Sequence, residues 1–175
     1  SIFIQIVGNA TMKNSKTLNM VYIALGAALI TICSWISIPA AVPFTLQTFA
    51  IFALLGILGG KRGTYSVILY VLLGAIGLPV FSGFKSGFGV ILGTTGGYIV
   101  GFILSGLLYW LFTNLIGKKT WMSFLFMIIG LLTCYAFGTV WFMYAYTKNT
   151  GAVGVLSALS WCVFPFIIPD IIKIF

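Results

Sequence analysis

Asp170 is the single acidic residue of this chain, and Lys173 follows it three positions later. Side chains three apart on a helix share one face, so the sequence predicts a charged pair near the start of a helix, where the dipole favours a carboxylate. Charged side chains are costly inside a membrane and by default mark a functional site there. The pair therefore predicts a polar clamp, in which the carboxylate accepts hydrogen bonds from ligand N–H groups and the ammonium balances it or binds an anionic ligand group. The alternative is an interfacial pair that only anchors a helix end.

Few other side chains could catalyse a reaction or bind a metal, which limits the chemistry of such a site. The sequence has no histidine and no second carboxylate, so the usual metal sites lack ligands. Cys33, Cys134 and Cys162 are far apart among apolar residues, and we expect them to pack as small hydrophobic side chains. No G-x-x-x-x-G-K-[ST] phosphate loop is present. The sequence predicts no catalytic residue, no metal and no cofactor, and it favours a binding protein over an enzyme.

Polar but uncharged side chains add to a predicted pocket at the same end of the molecule. Gln47, Ser82 and Tyr98 supply donors and acceptors, and Lys85 supplies a cation at the tip of a loop. Further candidates are Thr48, Thr94 and Thr95, with an apolar wall from Phe44, Phe49, Phe81, Phe84, Phe88 and Trp141. A mostly apolar pocket with a few convergent polar groups suits a small amphiphilic ligand. For each aromatic side chain, plain packing is the competing interpretation.

The composition indicates a membrane protein. Hydrophobic residues make up 61% of the 175 residues and charged residues 6%, whereas soluble domains are about a quarter charged. At about 20 residues per crossing, the length predicts an all-α bundle of five or six transmembrane helices. The expected spans are 18–38, 44–60, 65–78, 90–116 and 121–146. A short interfacial helix is expected at 153–163, followed by a last helix that starts near Pro169 and is cut short by the end of the chain.

The basic residues indicate topology rather than nucleic-acid binding, because they are scattered between apolar spans and form no continuous stripe. A cytoplasmic N-terminus agrees with the positive-inside bias. Lys13, Lys16, Lys61, Arg62, Lys118 and Lys119 then fall inside, and Lys85 and Lys148 outside. A turn at Pro39 and the predicted pocket then face outward. Because Met12 followed by Lys-Asn-Ser-Lys is typical of a natural start, residues 1–11 are predicted to be an upstream extension of a single transmembrane substrate-binding domain, 12–175.

A glycine-rich stretch at 79–105 separates two apolar spans. Glycine lets backbone approach backbone or ligand, and irregular backbone at membrane depth needs protein or a water-filled cavity around it. We predict that 81–89 forms an outward lid, with Gly83, Gly87 and Gly89 at the cavity. Behind the lid, small residues recur at every fourth position along a helix that a neighbour can approach closely: Gly89, Gly93, Gly97, Gly101 and Ser105.

Several segments together resemble the BioY family, the biotin-specific substrate-binding (S) components of energy-coupling factor (ECF) transporters. They are VPFTLQTFAI at 42–51, LGGKRGTYSVILYVLLGAIGLPVFSGF at 58–84, GVILGTTGGYIVGF at 89–102 and PFIIPDIIK at 165–173. The resemblance covers nearly everything from Met12 onward. It implies a six-helix S component in a prokaryotic cell membrane that captures biotin from outside. It also implies assembly with a membrane coupling subunit and two ATPase subunits.

The resemblance also implies roles for individual residues. Asp170 and Lys173 match an acidic and a basic residue implicated in the biotin site, without settling which of them meets the ureido ring. Ala24 and Ala28 match the small-residue motif that contacts the coupling subunit, although such a pair also suits packing within the chain. Thr94 or Thr95 stands where the family commonly has proline. The alternatives are an S component for another vitamin and, in a different class, an intramembrane enzyme or a structural membrane protein.

Overall fold

The computed structural model describes the backbone of residues 2–38, 42–117, 120–150 and 154–174, and the side chains of 16–38, 42–117, 120–148, 154–160, 162–167, 169 and 170. The helices are α1 (Ile2–Trp35), α2 (Gln47–Ala75), α3 (Phe88–Leu92), α4 (Gly96–Ile116), α5 (Thr120–Thr150), α6 (Val155–Cys162) and α7 (Phe164–Ile174). Two short strands, β1 (Ser37–Ile38) and β2 (Phe44–Thr45), pair antiparallel. The Pro39 turn, Lys118 and Lys119 lie outside the described residues, and the prediction for residues 1–11 stays a prediction.

Among the described residues, three helices are long and apolar enough to cross a membrane: Lys16–Trp35 within α1, all of α4, and Thr120–Lys148 within α5. Helices suit this environment because their backbone hydrogen bonds are satisfied within the segment. The all-α membrane fold is therefore confirmed, while the number of crossings stays a prediction. The core lies where α1, α2, α4 and α5 pack on one another.

Because a Cβ at Gly63 would lie 3.0 Å from the Cα of Leu55, eight residues earlier, the chain folds back sharply between them. The two spans expected at 44–60 and 65–78 are therefore two helical segments of α2 that meet at Gly59. This residue has φ 83° and ψ 166°, a backbone conformation that favours glycine. Its neighbour Gly60 serves close packing instead, since a Cβ there would lie 2.6 Å from the Cα of Trp110 in α4. The predicted boundary between the two spans is thus a sharp break rather than a loop.

Small residues bring α4 and α5 together, as the four-residue spacing predicts. A Cβ at Gly97 would clash with Trp141, and one at Gly101 would lie 2.9 Å from Sγ of Cys134. One turn further, the hydroxyl of Ser105 donates to the carbonyl oxygen of Gly130 at 2.6 Å. The predicted small-residue contact is therefore confirmed from Gly97 to Ser105.

The start of that stripe was expected wrongly. The chain does not run as one helix from Val90, because α3 ends at Leu92 and α4 begins only at Gly96. Gly93 lies in the break, and its carbonyl oxygen accepts a hydrogen bond from Nε1 of Trp141 at 2.9 Å. Gly89 has open space where a Cβ would stand. Because of this break, Gly89 and Gly93 do not share a helix face with Gly97, and the four-residue spacing predicts a helix contact only from Gly97 onward.

The last helix begins earlier than the proline pattern predicts. The short helix expected at 153–163 is found as α6, and its interfacial position stays a prediction. However, α7 starts at Phe164 and contains Pro169 in its interior. Pro165 occupies the first turn of α7, where its missing N–H costs no intrahelical bond. Pro169 forgoes one bond within the helix. Asp170 consequently lies in the interior of α7, and the argument that a helix N-terminus favours its charge does not hold.

Candidate ligand-binding site

A cavity of about 90 Å³ lies beneath the glycine-rich stretch. Residues of α2, α4, α5 and α7 form most of its wall, and Cys162 adds the end of α6. The segment before α2 contributes Val42, Pro43 and Thr45, and the segment before α3 contributes Phe81, Ser82 and Lys85. The wall is mainly apolar, so its few polar groups decide what the cavity can bind.

Asp170 is the most deeply buried of these polar groups, with 2% of its surface exposed. The hydroxyl of Tyr135 in α5 donates to its Oδ2 at 2.6 Å. The hydroxyl of Thr48 in α2 donates to its Oδ1 at 2.9 Å. A buried carboxylate requires such partners, and two donors from different helices fix its orientation.

Gln47, the first residue of α2, carries a buried hydrogen-bond donor that lacks a partner among the described residues, in contrast to the bonded carboxylate of Asp170. Its side chain is 6% exposed and lines the cavity, yet its Nε2 has no hydrogen-bond partner in the part of the chain that the structure describes. Leaving a buried donor unsatisfied costs about 1–3 kcal/mol. The cavity therefore holds an acceptor that is already oriented and a donor that lacks an acceptor.

Tyr98 and further aromatic residues line the cavity. The hydroxyl of Tyr98 lies 3.2 Å from Oγ1 of Thr139 in α5. Phe81 packs edge-on against Tyr70, with ring centroids 5.6 Å apart, and its ring fills the space that a Cβ at Gly74 would need. Both rings are nearly inaccessible to solvent, so this part of the wall is fixed by packing.

The segment over the cavity is bound to the helices beneath it. The hydroxyl of Ser34 in α1 donates to the carbonyl oxygen of Val80 at 2.5 Å, and Nε1 of Trp35 donates to that of Pro79 at 2.9 Å. The N–H of Gly87 donates to the carbonyl oxygen of Gly74 in α2 at 2.7 Å. We call residues 79–87 the cover segment. It lies over the cavity and is held at both of its ends.

The glycines of the cover segment act through conformation rather than by lining the cavity. Gly83 has φ 69° and Gly87 has φ 87°, and each has open space where a Cβ would stand. Neither residue, nor Gly89, lines the cavity wall. That these three glycines face a ligand stays a prediction, while the positive φ of Gly83 and Gly87 lets the chain turn at both positions.

Eight of the side chains predicted for the pocket line one cavity: Asp170, Gln47, Tyr98, Ser82, Lys85, Thr48, Thr95 and Phe81. Phe84 does not. It has φ 58°, is 63% exposed and stacks on Trp35 outside the cavity, with ring centroids 4.9 Å apart. The unusual positive φ, together with that of Gly83, turns its ring away from the wall. The side chain of Lys173 lies outside the described residues. Ala24 and Ala28 lie on the exposed face of α1.

Tyr135 is a cavity residue that the sequence analysis does not predict, because from α5 it assigns only Trp141 to the pocket wall. A tyrosine hydroxyl in the middle of an apolar helix needs a hydrogen-bond partner, and the chain offers a single carboxylate. That combination was available in the sequence. Tyr70, Cys134, Cys162 and Phe166 also line the cavity, but they carry no pattern that separates them from packing residues.

Comparison with known proteins gives a consistent result. The BioY family model matches residues 9–175. The biotin transporter BioY2 of Lactococcus lactis is 37% identical over 163 residues, which cover 93% of this chain and 87% of the relative. The biotin transporter BioY of Thermotoga maritima is 40% identical over 147 residues, or 83% and 73% of the two chains.

A solved structure is similar as well. It is the crystal structure of the S-component for biotin from an ECF-type ABC transporter. The match has a TM-score of 0.78 and 28% sequence identity, and it covers 92% of this chain and 87% of the other. The arrangement of helices around the cavity is therefore that of an S component.

Proposed function

The chain belongs to the BioY family, and we propose that it is a membrane-embedded S component that captures biotin for uptake through an ECF transporter. The observation that carries this proposal is the fold shared with a biotin S-component over 92% of the chain. The cavity supports it, because its mostly apolar wall carries one oriented carboxylate and one amide nitrogen that has no hydrogen-bond partner among the described residues. Biotin is cargo in this proposal, and the chain uses no cofactor or metal.

The polar groups of biotin suit the cavity in one orientation. Its ureido ring carries two N–H donors and one carbonyl acceptor. The carboxylate oxygens of Asp170 accept hydrogen bonds, so they suit the ureido N–H groups. Nε2 of Gln47 suits the ureido carbonyl. The apolar part of the bicycle then packs on Phe81, Phe102 and Phe166, which line the wall.

The carboxylate of biotin needs a cation at the other end of the ligand. Lys85 lines the cavity from the exposed cover segment, and Lys173 is the second candidate from the sequence. Both would hold a carboxylate near the mouth, where charge is less costly than in the interior. We assign Ser82, on the same segment, to a supporting hydrogen bond near the mouth.

Binding requires the cover segment to move. The cavity of about 90 Å³ is smaller than the roughly 300–1,000 Å³ that is typical of ligand clefts. The three hydrogen bonds at Val80, Pro79 and Gly87 hold the segment down, and positive-φ glycines within it are suited to absorb a change of backbone conformation. We infer an open form in which these bonds are released, and closure over the bound biotin.

Energy for uptake comes from other subunits in this proposal. We infer that a transmembrane ECF coupling subunit packs on α1 at Ala24 and Ala28, where exposed small residues allow close helix approach. Two ATPase subunits bind that coupling subunit and hydrolyse ATP, so this chain is not itself an enzyme. The distribution of basic residues supports a cytoplasmic N-terminus in a prokaryotic cell membrane.

A calorimetric titration of the purified chain in detergent tests the substrate. We expect saturable binding of biotin with one molecule per chain, and no saturable binding of riboflavin or thiamine. Saturable binding of one of those vitamins without biotin binding would assign the chain to another substrate. Absence of binding to all three, with the fold intact by circular dichroism, would contradict the proposal of a vitamin S component.

A further inference from the structure

A second cavity, of about 460 Å³, lies where α2 breaks at Gly59. Asn19 of α1, Lys61, Arg62 and Tyr65 of α2, and Trp110 and Asn114 of α4 contribute to its wall. Within α4, Trp110 follows Tyr98 of the first cavity by 12 positions, which is about 18 Å along a helix. The second cavity is thus separate from the ligand site and lies toward the opposite ends of the same helices.

The positive charge at this cavity has no acidic side chain to neutralise it within the chain. Lys61 and Arg62 are both exposed. The one acidic residue, Asp170, is in the first cavity and accepts hydrogen bonds there from Tyr135 and Thr48. The guanidinium of Arg62 lies over the ring of Tyr22, 5.4 Å from its centroid. That contact positions the cation and supplies no anion, so the cavity suits an external anion.

A buried acceptor at the same cavity adds a second requirement. Oδ1 of Asn19 is buried and has no hydrogen-bond partner among the described residues. Buried polar atoms are normally satisfied, so the cavity also suits a ligand that carries an O–H or N–H donor. The hydroxyl of Thr113 is not that donor, since it bonds to the carbonyl oxygens of Tyr109 and Trp110.

The position of the cavity identifies the source of such a ligand. Asn19 lies near the start of the span Lys16–Trp35, and Trp110 and Asn114 lie near the end of the span Gly96–Ile116. The rings of Tyr65 and Trp110 pack at the cavity, 5.9 Å between centroids, and such aromatics concentrate at the membrane interface. At that depth the abundant anion is the phosphate of a lipid.

We propose that the second cavity binds the headgroup of an anionic phospholipid. The phosphate binds Lys61 and Arg62, since guanidinium groups match phosphate oxygens in geometry and charge and basic pockets between transmembrane helices bind lipid headgroups. A headgroup hydroxyl donates to Oδ1 of Asn19. Phosphatidylglycerol has both features. This site is independent of biotin binding.

Native mass spectrometry of the purified chain, titrated with dioleoylphosphatidylglycerol or dioleoylphosphatidylcholine, tests the phosphate site. We expect phosphatidylglycerol to bind more tightly. Lys61→Gln combined with Arg62→Gln should lower its affinity about thirty-fold, because each basic residue contributes about a factor of five. The matched control Lys148→Gln removes one exposed cation elsewhere and should change the affinity little. Equal binding of the two lipids, or an unchanged affinity in the double variant, would overturn the proposal.

Two further ligands test whether the bound phosphate belongs to a lipid and whether a headgroup hydroxyl contributes to binding. Dioleoylphosphatidylmethanol has the same charge without a headgroup hydroxyl, so we expect it to bind less tightly than phosphatidylglycerol, and Asn19→Leu should abolish that difference. Binding of free glycerol 3-phosphate as tightly as the lipid would overturn a lipid site. The double variant should bind biotin as the unmodified chain does, which verifies that it is folded.

Discussion

The two ends of the helix bundle handle charge in opposite ways. In the first cavity a single carboxylate, Asp170, is almost fully buried and oriented by the hydroxyls of Tyr135 and Thr48. At the Gly59 break, Lys61 and Arg62 are exposed to solvent. A buried, oriented charge is sensitive to any single change, whereas exposed charges act additively and are screened by salt. We therefore expect a selective receptor at one end and a tolerant anion site at the other.

Replacing the buried carboxylate should give the largest effect. Asp170→Asn removes the charge that accepts the proposed ureido hydrogen bonds, each of which contributes about 1.5–3 kcal/mol when one partner is ionised. We expect the affinity for biotin to fall by about ten-fold to a hundred-fold or more in calorimetric titrations. The control Lys148→Gln should keep the affinity. An unchanged affinity in Asp170→Asn would return this residue to a structural role.

Removing one hydroxyl that orients the carboxylate should have a smaller effect. Tyr135→Phe deletes the donor to Oδ2 and keeps the ring, so we expect the affinity for biotin to fall by about ten-fold. Tyr144→Phe on the same helix is the matched control, because Tyr144 is exposed. Equal affinities for the two variants would show that the hydroxyl of Tyr135 does not prepare the site.

Replacing Gln47 should raise the stability of the ligand-free chain and lower its affinity for biotin. Gln47→Met keeps a similar shape and removes the buried unsatisfied donor, so we expect the ligand-free chain to become about 1 kcal/mol more stable. Loss of a bond to the ureido carbonyl should lower the affinity for biotin about five-fold. Thermal unfolding and calorimetry give the two quantities. A variant that is both less stable and unchanged in affinity would contradict the role proposed for Gln47.

Added salt should weaken lipid binding at the Gly59 break much more than biotin binding in the first cavity, where we expect the smallest effect of all. Raising the ionic strength from about 0.05 M to about 0.5 M shortens the screening length several-fold. Binding of phosphatidylglycerol at Lys61 and Arg62 should weaken markedly, while binding of biotin around Asp170 should weaken much less. Equal salt dependence of the two ligands would remove the distinction between a buried and an exposed charge.

Sequence reasoning succeeded where one residue type or one spacing has few physical explanations. A lone acid in an apolar chain drew attention to Asp170, and the four-residue spacing of Gly97 and Gly101 predicted the close α4–α5 contact. The Gly59 boundary was also predictable, because two glycines next to two cations do not suit the middle of a span. In each case the sequence itself carries the constraint.

The remaining features depend on three-dimensional detail that no local pattern encodes. The aromatic character of Phe84 predicts a place in the pocket, but the direction of its ring depends on a positive φ that few residues adopt. The proline pattern predicts a helix start at Pro169, whereas Pro165 occupies the first turn of α7 and Pro169 lies inside the helix. The partner of Tyr135 is set by how α5 packs on α7, which is a tertiary relation.

The central claim is that Asp170 accepts hydrogen bonds from the ureido N–H groups of biotin. A double-mutant cycle tests it most directly, with biotin and an analogue that is methylated on the ureido nitrogens, each titrated calorimetrically into the unmodified chain and into Asp170→Asn. We predict that methylation and substitution are coupled by more than about 1 kcal/mol, so that methylation costs far less affinity in the variant. Losses of affinity that simply add would contradict the claim.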